Sequence, residues 1–172
     1  MAIWKVGLSC VASVKNGCMV IIDRKRIATM VEYRKTTPDD ANSCVKILRH
    51  WIDETNWMPM LHSEPSMQQF WRGRLDQTAG WVAIENRRVV GFCIRDGGDI
   101  TALYLDPSAR RKGVGKELLD LAREDLDEVS LWVFAANTKA LAFYTREGFV
   151  EVFRSDGDNE EGLPDIKLSW KR

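Results

Sequence analysis

Residues Arg110 to Lys116 read RRKGVGK, between the apolar run ITALYL and the segment ELLDLAREDL. Glycines at a strand-to-helix junction let the backbone approach an anion. The unpaired N–H groups and the dipole of the first helical turn then direct positive charge at it. Arg110, Arg111, Lys112 and Lys116 add cations, although a glycine-containing loop with a solvated basic face has the same composition. Two familiar phosphate loops are excluded by position. A Walker A loop needs Gly where Arg110 stands and Ser or Thr where Glu117 stands; a dinucleotide fingerprint needs a third glycine at Leu118. The motif left is Arg110-x-x-Gly113-x-Gly115.

Other reactive side chains are few. His50 and His62 have no partners at metal-ligand spacing, so no metal is expected. Cys93 has no His near it in sequence to activate a thiolate, which argues against covalent catalysis by a cysteine. The four cysteines form neither a CxxC pair nor a dense framework and read as reduced thiols.

The chain has 172 residues, 45% of them hydrophobic, enough for one domain with a sizeable core. Acidic and basic residues balance at 25 each, without the basic excess of a nucleic-acid footprint, so any anion site is local and no nucleic-acid partner is expected. No apolar run reaches the roughly 20 residues that span a bilayer. Lys5 with VGLSCVASV imitates a short signal-peptide core, but the positive region is thin and no clean A-x-A site follows. The expected location is cytoplasmic. Residues 1–29 do not connect to the pattern that begins at Met30. They read as an N-terminal extension, a disordered arm or translation from an upstream start, with the functional domain over 30–172.

The elements that must position the loop follow from periodicity. EYRK reads as a strand. TPDDANSCVKILRHWID carries Pro38 and Asp39 in its first turn and Ala41, Val45, Leu48 and Ile52 at helical spacing. A second helix is predicted within Pro65 to Leu75, after the linker TNWMPMLHSE. GWVAIE, VVGFCIR and ITALYL, with short turns between them, predict an antiparallel meander. Val114, Leu118, Leu119, Ala122 and Leu126 mark a helix, and VSLWVF follows as a strand, a crossover unit that favours parallel pairing. A helix over Thr138 to Glu147 stops at Gly148, and FVEVFR and DIKLSW close the chain as a hairpin. The expected fold is α/β (α+β): a mixed, mainly antiparallel central sheet flanked by helices, with one β-α-β unit.

Arg110-x-x-Gly113-x-Gly115 after a strand ending LYLDP resembles the coenzyme A pyrophosphate loop of the GNAT superfamily of acetyltransferases. ANTKALAFYTREGF is similar to the second signature of that family, with Asn137, Ala140, Phe143, Tyr144, Gly148 and Phe149 in register. The order of elements agrees from about Met30 to Trp170. LWVF before that signature and DGDNEEGLPD after it look like a group of bacterial members.

The resemblance implies acetyl-CoA as cosubstrate and transfer of its acetyl group to an amine. Backbone N–H groups of Val114 and Gly115 would hold the pyrophosphate within the loop Arg110, Arg111, Lys112, Gly113 and Lys116. Leu103, Tyr104 and Leu105 would pair with the pantetheine amides. A backbone N–H near Leu105 would polarise the thioester carbonyl, given a splay between this strand and VSLWVF. Asn137, Ala140 and Phe143 would border the coenzyme, Asn137 also capping its helix. Tyr144, protonated at neutral pH by its reference pKa near 10, is the expected general acid toward the departing thiolate. Thr101 stands where many relatives carry Glu, which leaves Asp99, His62 or a water relay as the base.

The family's acceptor wall falls on TNWMPMLH and DGDNEEGLPD, which gives Trp57, Met58, His62, Asp156, Asn159 and Glu160 as substrate-side residues, with Met60, Glu161 and Asp165 beside them. The acidic hairpin hints at a cationic acceptor, either a small-molecule or a peptide amine; Asp, Gly and Asn are equally ordinary turn residues. Dimers are common in the family, so a homodimer is among the implied assemblies. The competing function is a domain that senses acyl-CoA without turnover.

Overall fold

The computed structural model describes residues 10–15, 18–23 and 30–172. It divides into two compact units, Met1–Met30 and Val31–Arg172. In the first, β1 (Cys10–Lys15) and β2 (Cys18–Asp23) pair antiparallel. The other residues between 1 and 29, where the arm or extension was expected, lie outside the described residues.

The second unit opens with β3 (Glu32–Lys35). Thr37 then caps a short 3-10 turn: its backbone N–H donates to Asp40 Oδ2 at 2.8 Å, and the Arg34 guanidinium grips the same carboxylate at 2.7 and 2.8 Å. This pre-set turn launches α1 (Ala41–Asp53), which buries Ala41, Cys44, Val45 and Ile47. The α2 helix (Glu64–Gln77) starts with the Ser63 side chain accepting from Ser66 N–H and buries Met67, Trp71 and Leu75.

The meander follows as β4 (Ala79–Glu85), β5 (Arg88–Asp96) and β6 (Asp99–Leu105), antiparallel throughout. Asn86 and Arg87 both take positive φ, 53° and 62°, the primed-turn geometry that matches strand twist in a two-residue hairpin. The crossover is α3 (Val114–Arg123) into β7 (Glu128–Phe134). Then come α4 (Thr138–Arg146), β8 (Val150–Ser155) and β9 (Asp165–Lys171).

The seven strands order as β3-β4-β5-β6-β7-β9-β8. The closing hairpin is present, but it enters the sheet through β9, which lies antiparallel between β7 and β8. Each face carries its own core. One packs α3 and α4 residues such as Leu118, Leu119, Ala122 and Tyr144 on Val90, Cys93 and Leu131. The other packs α1 and α2 on Val82, Phe92, Ile94 and Ala102. No helix of the described residues is long and apolar enough to cross a membrane, and among those residues no acidic, His or Cys cluster is placed to hold a metal.

Candidate active site

The site is built where β6 and β7 part. They pair in parallel only at Asp99–Ser130 and Ile100–Leu131, and no ladder joins them beyond that point. A register shift opposite Ile94 and Arg95 leaves Thr101 as the extra residue of a β-bulge, which bends β6 just where the gap opens. Past the bulge, Asp106 N–H bonds to Val90 O at 2.9 Å. Strand alternation then turns the N–H groups of Leu103 and Leu105 the opposite way, into the gap. The open edge of β6 therefore offers unpaired donors to whatever lies between the strands.

The end of β6 is braced on three sides. A Cβ on Gly91 would stand 2.5 Å from Leu105 Cδ2, so glycine there makes room for Leu105 to pack inward. Arg110 Nε donates to the Leu105 carbonyl at 3.3 Å, and Arg110 Nη1 lies 2.8 Å from Glu54 Oε2 at the end of α1.

The loop and helix of RRKGVGK face the same mouth. Arg111 and Gly113 adopt left-handed φ of 60° and 84°, and Gly113 is the residue before α3. With no side chain to cap it, the α3 N-terminus leaves its first-turn N–H groups open, an arrangement suited to a phosphate. Three of the loop's cations have acidic partners. Lys112 Nζ is 3.6 Å from Glu85, Lys116 pairs with Asp120 and lies 3.9 Å from Glu147, and Arg110 is held as described. Arg110, Lys112 and Lys116 thus each have an acidic partner, while the first-turn N–H groups of α3 have no side-chain cap.

The second motif meets the first across the gap. Asn137 Oδ1 accepts from Ala140 N–H at 3.1 Å, capping α4. Phe143, half-buried, comes to 3.7 Å from where a Gly115 Cβ would be. Tyr144, 8% exposed, stacks edgewise on Phe143 and Phe149 with centroids 5.1 and 5.5 Å away. Burial pushes its phenol above the ordinary range, and the neighbouring Cys93 and Tyr104 push the same way, so it stays protonated.

On the opposite face a cavity of about 370 Å³ lies between α1, the following linker, α2 and the β8–β9 loop. Leu48, Ile52, Met67 and Trp71 form its walls, Met58 and His62 lie in the linker, and Tyr104 from β6 contributes its inner end. His62 Nε2 meets Glu160 Oε1 at 3.1 Å, so linker and loop touch over the opening. Glu161 also lines the cavity. Burial raises the Tyr104 phenol to about 12, and the Glu161 carboxylate adds to the rise. Beside the cavity an aromatic chain crosses the gap: Tyr104 to Trp51 at 5.3 Å, Trp51 to Trp57 at 5.9 Å, Trp57 to Phe134 of β7 at 5.7 Å.

Several expected positions move. Asp99 lies at the far end of β6, bonded by the Ser130 hydroxyl, six residues and about 20 Å of strand from Leu105. Asp99 is therefore not positioned as a base. Asn159 is structural: its amide donates to Leu163 O at 2.7 Å and Asp165 Oδ2 at 3.1 Å, pinning the loop. Asp156 is exposed and outside the cavity lining, and Asp165 is buried beside Ser155 Oγ at 2.6 Å. Trp57 stands in the aromatic chain and not in the cavity wall. Trp51, Gly91 and Glu54 carry no chemical motif in sequence, and Phe134 stood out only as the last residue of LWVF; the WID ending of a helical pattern alone marked Trp51's neighbourhood.

A splayed β-α-β crossover with an uncapped helix at its mouth and a buried tyrosine across it is the architecture of an acyltransferase. Residues 76–151 match the family described as acetyltransferase (GNAT) domain, and the fold around them is shared with solved structures of that family. It is 28% identical over 131 residues to "Peptidyl-lysine N-acetyltransferase YjaB" of Escherichia coli K12, covering 76% of this chain and 89% of that protein. The solution structure of apo-form YjaB from Escherichia coli superposes with a TM-score of 0.68 at 26% identity, over 82% of this chain and 97% of the other. The structure of yncA from Salmonella typhimurium with its cofactor acetyl-CoA superposes with a TM-score of 0.65 at 15% identity, over 83% and 94% of the two chains, a likeness of fold alone.

Proposed function

We propose that the protein transfers the acetyl group of acetyl-CoA to a primary amine by direct attack in a ternary complex. The observation that carries this reading is the parting of β6 from β7 after Ile100 and Leu131, which turns the Leu103 and Leu105 N–H groups into an open gap. The residues present suit the cosubstrate: a left-handed Gly113 before an uncapped helix for the pyrophosphate, and an unpaired strand edge for pantetheine amides. The acetyl-CoA in the yncA structure is consistent with this assignment.

In this mechanism the first-turn N–H groups of α3 hold the diphosphate and the edge of β6 aligns the thioester. Leu105 N–H donates to the thioester carbonyl as negative charge grows there. The neutral amine approaches from the α1–α2 face, where Tyr104 and the aromatic chain border the gap. Its nitrogen bonds to the carbonyl carbon, the C–S bond breaks, and Tyr144 gives its proton to the departing thiolate. The attacking nitrogen then loses one proton to solvent and solvent returns one to the Tyr144 phenolate, which restores the phenol and balances the reaction.

Thiol release from acetyl-CoA, followed against a panel of primary amines with wild type and Tyr144→Phe, tests the proposal. Acceptor-dependent release that collapses in the variant is the expected result; release without any acceptor dependence would sink it.

A further inference from the structure

Resting on the transferase reading, we infer that the acceptor is a small primary amine with an apolar body, held in the cavity beside Tyr104 with its ammonium received by Glu161. The cavity's depth is hydrocarbon and aromatic, from Leu48, Ile52, Met67 and Trp71. Its rim keeps Met60, Leu61 and Phe70 exposed at 43%, 46% and 63%. Large apolar side chains clustered at a concave opening mark a surface that a ligand covers. Methionines on both wall and rim let that surface adapt to the shape of the guest.

The polar groups define the other half of the guest. Glu160 is engaged with His62, and that pair joins the linker to the β8–β9 loop. Glu161 also lines the cavity, close enough to Tyr104 for its charge to raise that phenol. A carboxylate beside an apolar chamber with an aromatic floor matches a single ammonium better than a neutral or anionic group. Tyr104 is also the residue shared between the cavity and the strand edge where the thioester is polarised. The ammonium held by Glu161 gives up one proton to solvent before attack, and the neutral amine so formed lies on the Tyr104 side of the cavity, toward the strand edge.

The same chemistry separates candidate acceptors. A polyamine brings several charges into a chamber with one available carboxylate, and each unpaired charge there is costly. A peptide carrying lysine brings backbone amides that hydrocarbon walls cannot satisfy. An alkyl or arylalkyl monoamine has neither mismatch.

The test uses the full chain. Acetyl-CoA binding is measured first by calorimetry, and 2-phenylethylamine, spermidine and a lysine-containing peptide are then titrated into protein saturated with coenzyme A. The same series is run on Glu161→Gln and on Phe70→Ser, both at exposed or half-exposed sites where the fold has little at stake. The expected order places 2-phenylethylamine tightest, weakened about tenfold or more by Glu161→Gln and less by Phe70→Ser, with acetyl-CoA binding unchanged. Tighter binding of spermidine or the peptide, or indifference to Glu161→Gln, overturns this inference alone. Failure of acetyl-CoA to bind overturns the transferase reading, and this one with it.

Discussion

Arg110 holds two elements with one guanidinium: Nη1 lies 2.8 Å from Glu54 Oε2 at the end of α1, and Nε donates to the Leu105 carbonyl at 3.3 Å. The arginine thereby ties the end of β6 to the end of α1, the strand and the helix that the proposed mechanism sets at the thioester and the acceptor. Lysine has a point charge and no fork, so it keeps one of these contacts at most. Arg110→Lys is expected to lower kcat/KM about tenfold. Glu54→Gln, which leaves the Leu105 contact in place, should lower it less. Steady-state kinetics on both variants check this, and equal effects would show that the two contacts are not separable.

Tyr144→Phe removes the proposed proton donor while keeping the ring stacked on Phe143 and Phe149. A fall in kcat of about a hundredfold is expected, with acetyl-CoA affinity and thermal midpoint nearly unchanged. Because burial raises this phenol, it remains protonated through its reference pKa of about 10. The wild-type rate should therefore show no alkaline decline from Tyr144 ionisation below that pH, which a pH–rate profile reads directly.

Gly113 and Gly91 should respond differently to alanine. At Gly113 nothing lies within 4 Å of an added Cβ, so the cost is the left-handed φ of 84° alone, about 1–2 kcal/mol. At Gly91 the Cβ would meet Leu105 Cδ2 at 2.5 Å and Tyr104 O at 3.3 Å. Overpacking of about 1–3 kcal/mol is expected there, together with displacement of the β6 edge. Denaturant melts measure both stabilities. Gly91→Ala should also raise the acetyl-CoA KM beyond what its stability loss explains.

Acid sensitivity should trace in part to Asp125. Two hydrogen bonds from the buried Arg95 guanidinium, at 2.5 and 3.1 Å, hold this carboxyl down to about 2. A folded pKa below the unfolded value means the contribution is complete above about pH 4 and fades as pH falls toward 2. Asp125→Asn should lower the melting temperature at pH 7, and the gap from wild type should close as pH drops through that window. A gap that is constant with pH would rule the ion pair out as its source.

Much of this protein was legible in its sequence because its signals are local. Periodicity set α1, α3 and the meander, since each apolar stripe has to face a core. The two glycine-bearing motifs fixed the α3 N-terminus and the α4 cap, because left-handed φ at Gly113 and side-chain capping by Asn137 depend on a few adjacent residues. Their family resemblance followed from the same short stretches.

What the tertiary structure alone decided is long-range. Nothing local in DIKLSW says that β9 inserts between β7 and β8, because strand order depends on which edge remains open once the rest has packed. The splay depends on a bulge at Thr101 and on the absence of a ladder past Leu131, both properties of pairs of strands. Asp99 looked available as a base until the strand's length carried it to the far end of the sheet. Arg110, Lys112 and Lys116 meet Glu54, Glu85 and Glu147, remote in the chain, only because folding brings these carboxylates to the loop. The cavity proposed for the acceptor belongs to the same class: helices, a linker and a distant loop come to line one space only when folding closes the gaps between them.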